Sequence, residues 1–139
     1  MLKILSLLAC LFFATTTSAQ HMPQDKTYTF DDCVTTYDTE AIQKTQVGHQ
    51  FWFADKDFTD GRTIKMSVVD PGKSTHAPHQ HPQDEFFFVL EGTAEFYLDG
   101  KTVEVGPYTS LYCPSNSMHG ISNAGDTELK YLVMQKYEQ

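Results

Sequence analysis

From Val47 to Lys136 the chain is a succession of short runs rich in Val, Ile, Phe, Tyr and Thr, cut apart by Gly, Pro, Asp and Asn. That pattern constrains the fold more than any other feature of the sequence. β-Branched and aromatic side chains suit a pleated, half-buried surface, and the punctuating residues suit turns. The runs are GHQFWFA, RTIKMSVV, EFFFVLE, TAEFYL, KTVEV, TSLYC, MHGIS and ELKYLVMQK. Between the fourth and fifth stands Asp99-Gly100, which predicts a two-residue hairpin of type I′, a turn that needs positive φ at both central residues. No stretch beyond residue 20 carries a helix-length apolar period. Eight short strands at this spacing predict an all-β sandwich or small barrel. The interior of an eight-stranded barrel is nearly filled by side chains, with room for one small ligand.

The N-terminus is of a different kind. MLKILSLLACLFFATTTSAQ opens with Lys3, continues through an apolar run from Ile4 to Ala14, and ends in small polar residues with Thr17 and Ala19 at the −3 and −1 positions of a cleavage site. Such a run is too short to span a hydrocarbon core of about 30 Å. Residues 1–19 are therefore expected to be a signal peptide, cleaved after Ala19, which places the mature protein in the periplasm or outside the cell. Leu7-Leu8-Ala9-Cys10 is a poor lipidation box, because few residues precede Cys10 and Leu8 fits badly; a lipoprotein is disfavoured. Cleavage leaves about 120 residues, enough for a single domain. Residues 20–46 are expected to form an arm packed on the body, with at most a brief helical turn near Asp38 or Thr39, and residues 47–139 the barrel.

The chain carries ten basic and eighteen acidic residues, a net charge of −8. Nucleic acid and anionic membrane surfaces are thereby disfavoured as partners. An acidic ligand would need local positive charge, which a bound metal ion supplies. After cleavage two cysteines remain, Cys33 and Cys113. Both a disulfide between them and two small, partly buried thiols are compatible with their spacing.

The segment PGKSTHAPHQHPQDEFFFVLEG holds the chemistry. Side chains alternate between faces along an extended chain, so the odd-numbered His79, His81 and Glu85 share a face if the chain stays extended through Pro82. Phe86, Phe88 and Leu90 then pack on the other side. His119, in the strand-entry segment CPSNSMHGISN, is placed to complete the set from across the barrel. Three neutral imidazoles and one carboxylate suit one divalent transition metal (Fe, Mn, Zn, Ni or Co) better than Ca or Mg. Four protein ligands leave coordination positions for water or substrate. His76 reads as an ordinary loop residue, and Asp55 to Gly61 as a solvated turn, because a calcium loop would need Glu where Met66 stands. Phe51, Trp52 and Phe53 read as core in preference to a pocket lining.

These residues resemble the cupin superfamily. Its first motif is matched by Gly72, His79, His81, Glu85 and Gly92, and its second by Gly106, Pro114, His119 and Asn123; Asn116 stands where the family usually has Gly. Asn tolerates the left-handed conformation better than other non-glycine residues do. The resemblance spans residues 47–136. It implies a jelly-roll β-barrel, a metal held by His79, His81, Glu85 and His119, and a homodimer. Family members include dioxygenases, isomerases, lyases, uronate hydrolases and non-catalytic binding proteins, so the resemblance implies fold and metal more narrowly than reaction. The expectation is an exported metalloenzyme acting on a small oxygen-rich molecule such as a sugar acid, an organic acid or an O₂-dependent substrate. The alternative is a cupin that binds a small ligand or metal without turnover. For acid–base chemistry His76, Tyr108 and Tyr112 are the available candidates.

Overall fold

The computed structural model describes residues 27–138. The expected signal peptide, residues 1–19, lies outside them. A four-residue helix, α1 (Phe30–Cys33), is followed by nine strands: β1 (Gln43–Thr45), β2 (Gly48–Ala54), β3 (Arg62–Val69), β4 (Glu85–Glu91), β5 (Ala94–Leu98), β6 (Lys101–Val105), β7 (Ser110–Cys113), β8 (His119–Asn123) and β9 (Leu129–Lys136). They form a six-stranded sheet in the order β1-β2-β3-β9-β4-β7 and a three-stranded sheet in the order β6-β5-β8. All the pairings are antiparallel. The all-β fold expected from the runs is present, and their boundaries coincide with β2 to β9 to within one residue.

The two sheets face each other across one core, built by the alternation of each strand. Val69 from β3, Phe87 and Val89 from β4, Leu111 and Cys113 from β7, Ile121 from β8, and Leu129, Tyr131 and Val133 from β9 point inward, and Ala94 and Phe96 of β5 meet them from the small sheet. The even-numbered positions of β3, β4, β7 and β9 and the odd-numbered Phe51 and Phe53 of β2 face out. Met66 and Val68 pack there with Phe51, Phe53, Leu90, Leu132 and Ile42. Tyr37 covers this layer edge-on, its ring 5.2 Å from that of Phe51. Phe51 is core, as its strand position suggested. Phe86 departs from expectation: it is 41% exposed, and its ring rests on Tyr112 at 4.8 Å. The arm's cover does not reach this corner of the outer face. A register irregularity between Trp52 and Ala54 and another between Val89 and Glu91 bend β2 and β4.

Two turns fix the strands that carry the site. Asp99 and Gly100 have φ of 44° and 87°, which is the type I′ hairpin read from the sequence. Asp99 also ties down the entry to β8: its N–H donates to the Met118 carbonyl at 2.8 Å, and its Oδ1 accepts from the Met118 N–H at 2.9 Å. Asn116 has φ of 61°, the left-handed conformation for which Asn is the best substitute for Gly. The far end of β8 is held by Asn123, which is 2% exposed. Its Nδ2 donates to the carbonyls of Val69 at 2.8 Å and Thr127 at 2.7 Å, and its Oδ1 accepts from the Gly125 N–H at 2.9 Å.

Replacing Asn123 by Ala removes three hydrogen bonds, the one to the Val69 carbonyl fully buried and those with Thr127 and Gly125 partly so. Asn123→Ala is expected to lower unfolding stability by about 3 kcal/mol, and Asn123→Asp by no less, since a carboxylate has no donor for the two carbonyls. Urea unfolding followed by Trp52 fluorescence measures both.

Candidate metal centre

His79 and His119 lie directly opposite each other in an isolated antiparallel bridge. The His79 N–H donates to the His119 carbonyl at 2.9 Å, and the His119 N–H donates to the His79 carbonyl at 2.8 Å. Residues so paired project their side chains to the same face, and the two rings stand 4.9 Å apart. His81 is tied to the same turn, its carbonyl accepting from the Asn116 N–H at 2.8 Å. Glu85 opens β4, opposite Cys113 on one side and Gln135 on the other. The chain from residue 80 to residue 84 is not a strand and bends at Pro82 and Gln83. The shared face of His79, His81 and Glu85 is therefore produced by cross-links to β8 and its turn, and not by an uninterrupted pleat.

One ligand atom from each of His79, His81, Glu85 and His119 lies within 4.8 Å of all the others. The sequence brought these four together on paper, and the fold brings them together in space. Their protonation is set by backbone carbonyls. Nδ1 of His81 lies 2.7 Å from the Gln83 carbonyl, that of His119 lies 2.8 Å from the Ser117 carbonyl, and that of His79 lies 3.3 Å from the Ala77 carbonyl. A carbonyl only accepts, so Nδ1 donates in each case and the neutral ring carries its lone pair on Nε2. Those lone pairs face Glu85: Oε1 is 3.0 Å from His119 Nε2 and 3.7 Å from His81 Nε2. His119 is fully buried, and its Nε2 has no hydrogen-bond partner. Acceptors turned toward one another in a buried place repel unless a cation lies among them. This donor set and its orientation fit a divalent transition metal.

The cluster opens into a cavity of about 210 Å³ inside the barrel. Its lining includes the polar Lys65, Tyr131, Gln135 and Tyr137 and the apolar Phe87 and Ile121, and Gln135 lies beside the cluster, its Nε2 3.4 Å from His81 Nδ1. Tyr131 is 2% exposed and lies with its hydroxyl 3.4 Å from Thr75 Oγ1; burial raises the phenol above its ordinary range. His76 also lines this cavity, contrary to its expected place as an ordinary loop residue, because Ser74 pairs with Ser122 of β8 and draws the loop inward. Its ring stands 5.7 Å from His79. Burial pushes the His76 imidazole below its usual value, and the nearby His79 and Lys65 act in the same direction. The other acid–base candidates are outside: Tyr108 is 83% exposed, and the Tyr112 hydroxyl donates to Asp84 Oδ2 at 3.3 Å on the surface. Lys65, Tyr131, Gln135 and Tyr137 were not singled out from the sequence. For the first three the available signal was parity, since they occupy the inward positions of β3 and β9.

With this geometry in view, the relatives are informative. The family model for the cupin domain matches residues 65–135, and the chain belongs to that family. It is 32% identical over 72 residues to mannose-1-phosphate guanylyltransferase RfbM of Salmonella typhimurium, a match covering 52% of this chain and 15% of that protein. It is 28% identical over 76 residues to 5-nitrosalicylic acid 1,2-dioxygenase of a Bradyrhizobium species, covering 54% of this chain and 36% of that one. The chain thus spans well under two thirds of these curated relatives. Among solved structures, KdgF from a Halomonas species superposes with a TM-score of 0.60 at 22% identity, over 70% of this chain and 88% of that one. The polyketide cyclase RemF from Streptomyces resistomycificus superposes with a TM-score of 0.57 at 27% identity, over 63% of each chain.

Both described cysteines are free thiols, Cys33 exposed and Cys113 buried. Burial, and secondarily the Glu85 carboxylate across the strand pair, push the Cys113 thiol up to about 12. Only the thiolate alkylates quickly. Iodoacetamide at about pH 8 should label Cys33 in the native protein and reach Cys113 only after denaturation, as read by peptide mass spectrometry. Rapid native labelling of Cys113 would contradict the buried placement.

Proposed function

We propose that the protein is an exported cupin that holds one divalent transition metal through His79, His81, Glu85 and His119 and acts there on a small, oxygen-rich molecule. The observation that carries this reading is the orphaned, fully buried Nε2 of His119 set 3.0 Å from the Glu85 carboxylate, an arrangement of acceptors that a cation relieves. When bound, such an ion supplies Lewis acidity and open positions for an oxygen ligand. The chain's own contributions are the three carbonyls that fix the imidazole tautomers and the apolar Phe87 and Ile121 in the cavity lining, which disfavour water there. His76 stands beside His79 on the same cavity and is the group best placed to exchange a proton with a bound molecule. The cavity is below the ~300–1,000 Å³ usual for drug-sized ligands, which favours a small acid or sugar derivative. Dioxygenases among the relatives, in Bradyrhizobium and, for quercetin, in Bacillus subtilis, support O₂-dependent chemistry within this class. Export follows from the signal-like composition of residues 1–19.

Elemental analysis of the protein as isolated should find about one transition-metal ion per chain, and His81→Ala or Glu85→Ala should weaken metal affinity by about 100-fold or more. Affinity should also fall as pH drops, because protons compete with the metal for the same ligand atoms. No stoichiometric metal in the wild type, or an affinity indifferent to pH, sinks the metal reading. A bound metal with no turnover in screens for oxygen uptake and sugar-acid conversion would instead select the non-catalytic alternative, a protein that captures a small ligand.

A further inference from the structure

The electrostatics of the cavity go one step beyond the metal. Among its lining side chains there is one carboxylate, Glu85, and one ammonium, Lys65. Lys65 lies on β3 opposite Val133 of β9 and Trp52 of β2, in the inward row with Thr63, Ser67 and Val69, each of them buried. Its ammonium sits over the Trp52 ring at 5.2 Å from the centroid, a contact that fixes its direction without neutralising it. Among the described residues Lys65 enters no ion pair. A lysine is costly to half-bury without a counter-charge, and burial does lower its proton affinity, with Glu85 opposing. Once Glu85 is committed to a divalent ion, the cavity holds two net positive charges, inside a chain whose own net charge is −8.

We propose that Lys65 is the anion anchor of this cavity, and that the natural ligand is a small organic acid with one oxygen group at the metal and a carboxylate on the Lys65 ammonium. The inference rests on the metal reading above and adds the substrate class to it. A compact ammonium on a flexible stem pairs with a carboxylate as a point charge, and the pair is strengthened by the low dielectric of a closed barrel. The positive cavity also accounts for how an acidic protein selects an acidic ligand: the attraction is confined to the interior and is not diluted over the surface. A carboxylate opposite Lys65 supplies the missing counter-charge, and the cavity volume of about 210 Å³ favours acids of few carbons.

The test uses the full chain loaded with Co(II), whose visible absorption reports ligation at the metal, in the wild type and in Lys65→Met and Lys65→Arg. Malonate, succinate and glutarate are titrated as two-ended acids, and acetohydroxamic acid as a probe directed at the metal alone. All three proteins should take up cobalt and bind acetohydroxamic acid alike. The tightest dicarboxylate should bind about tenfold or more weakly to Lys65→Met and within about threefold of wild type to Lys65→Arg. Equal dicarboxylate affinities in wild type and Lys65→Met, or no dicarboxylate binding by the cobalt-loaded wild type, overturn the assignment of Lys65 and leave the metal reading standing. Failure of the wild type to take up cobalt overturns the metal reading, and the inference falls with it.

Discussion

The paired backbone hydrogen bonds between His79 and His119 are the constraint on which the site depends. They join a loop of some fifteen residues between β3 and β4 to the first residue of β8, and in doing so they set two imidazoles on one face of the small sheet. Everything else at the centre follows from that junction. His81 is delivered by the next two residues and held by Asn116, and Glu85 arrives where the chain re-enters the large sheet beside Cys113. The carbonyls of Ala77, Gln83 and Ser117 then decide which nitrogen of each ring carries the proton. A hydrogen bond to a histidine's outer nitrogen does two things at once: it fixes ring orientation, and it leaves the inner nitrogen as a donor to a metal. The cluster is thus organised largely by backbone groups of the loops that lead into β4 and β8.

The sequence made the strands legible because each has two faces with different duties. The run from Glu85 to Leu90 alternates buried and more exposed positions, and period-two patterning is the strongest local signal a strand offers. The metal-ligand set was legible for another reason: three histidines and a glutamate in two clusters are rare enough to stand out. The parity argument that linked them reached the right grouping through the wrong intermediate, since the chain bends at Pro82 and Gln83. A proline within an extended segment is where such an argument is weakest, because its ring removes a ladder donor. Strand β1 was missed. Its three residues, Gln43, Lys44 and Thr45, are all exposed, and without a buried face there is no alternation to read.

Phe86 and His76 show the complementary failure, in which identity misled because cover is a tertiary property. Phe86 is an aromatic residue in a strand, yet it is 41% exposed because the segment carrying Tyr37 and Ile42 packs elsewhere on the same outer face. His76 looked like a loop residue, yet the bridge between Ser74 and Ser122 turns its loop toward the cavity. Neither contact joins neighbours in sequence. Placement of this kind depends on contacts between residues distant in sequence, and periodicity within a window carries no information about them.

The division between what the motifs contain and what they omit bears on function. The four cluster residues come from two short segments around β4 and β8, whereas Lys65, Tyr131 and Gln135 of the cavity wall come from β3 and β9, which pair along their whole length from Arg62–Lys136 to Val69–Leu129. Lys65 and Tyr131 therefore come from strands that supply none of the four cluster residues, whereas Gln135 lies against the cluster, its Nε2 3.4 Å from His81 Nδ1. Relatives that share the barrel and the cluster can differ in charge and shape at this wall, which is why resemblance through the two motifs narrows the fold further than the reaction. In this chain the wall presents an ammonium and a buried phenol together. Both groups donate hydrogen bonds at neutral pH, and donors in a partly apolar cavity favour a ligand rich in acceptors.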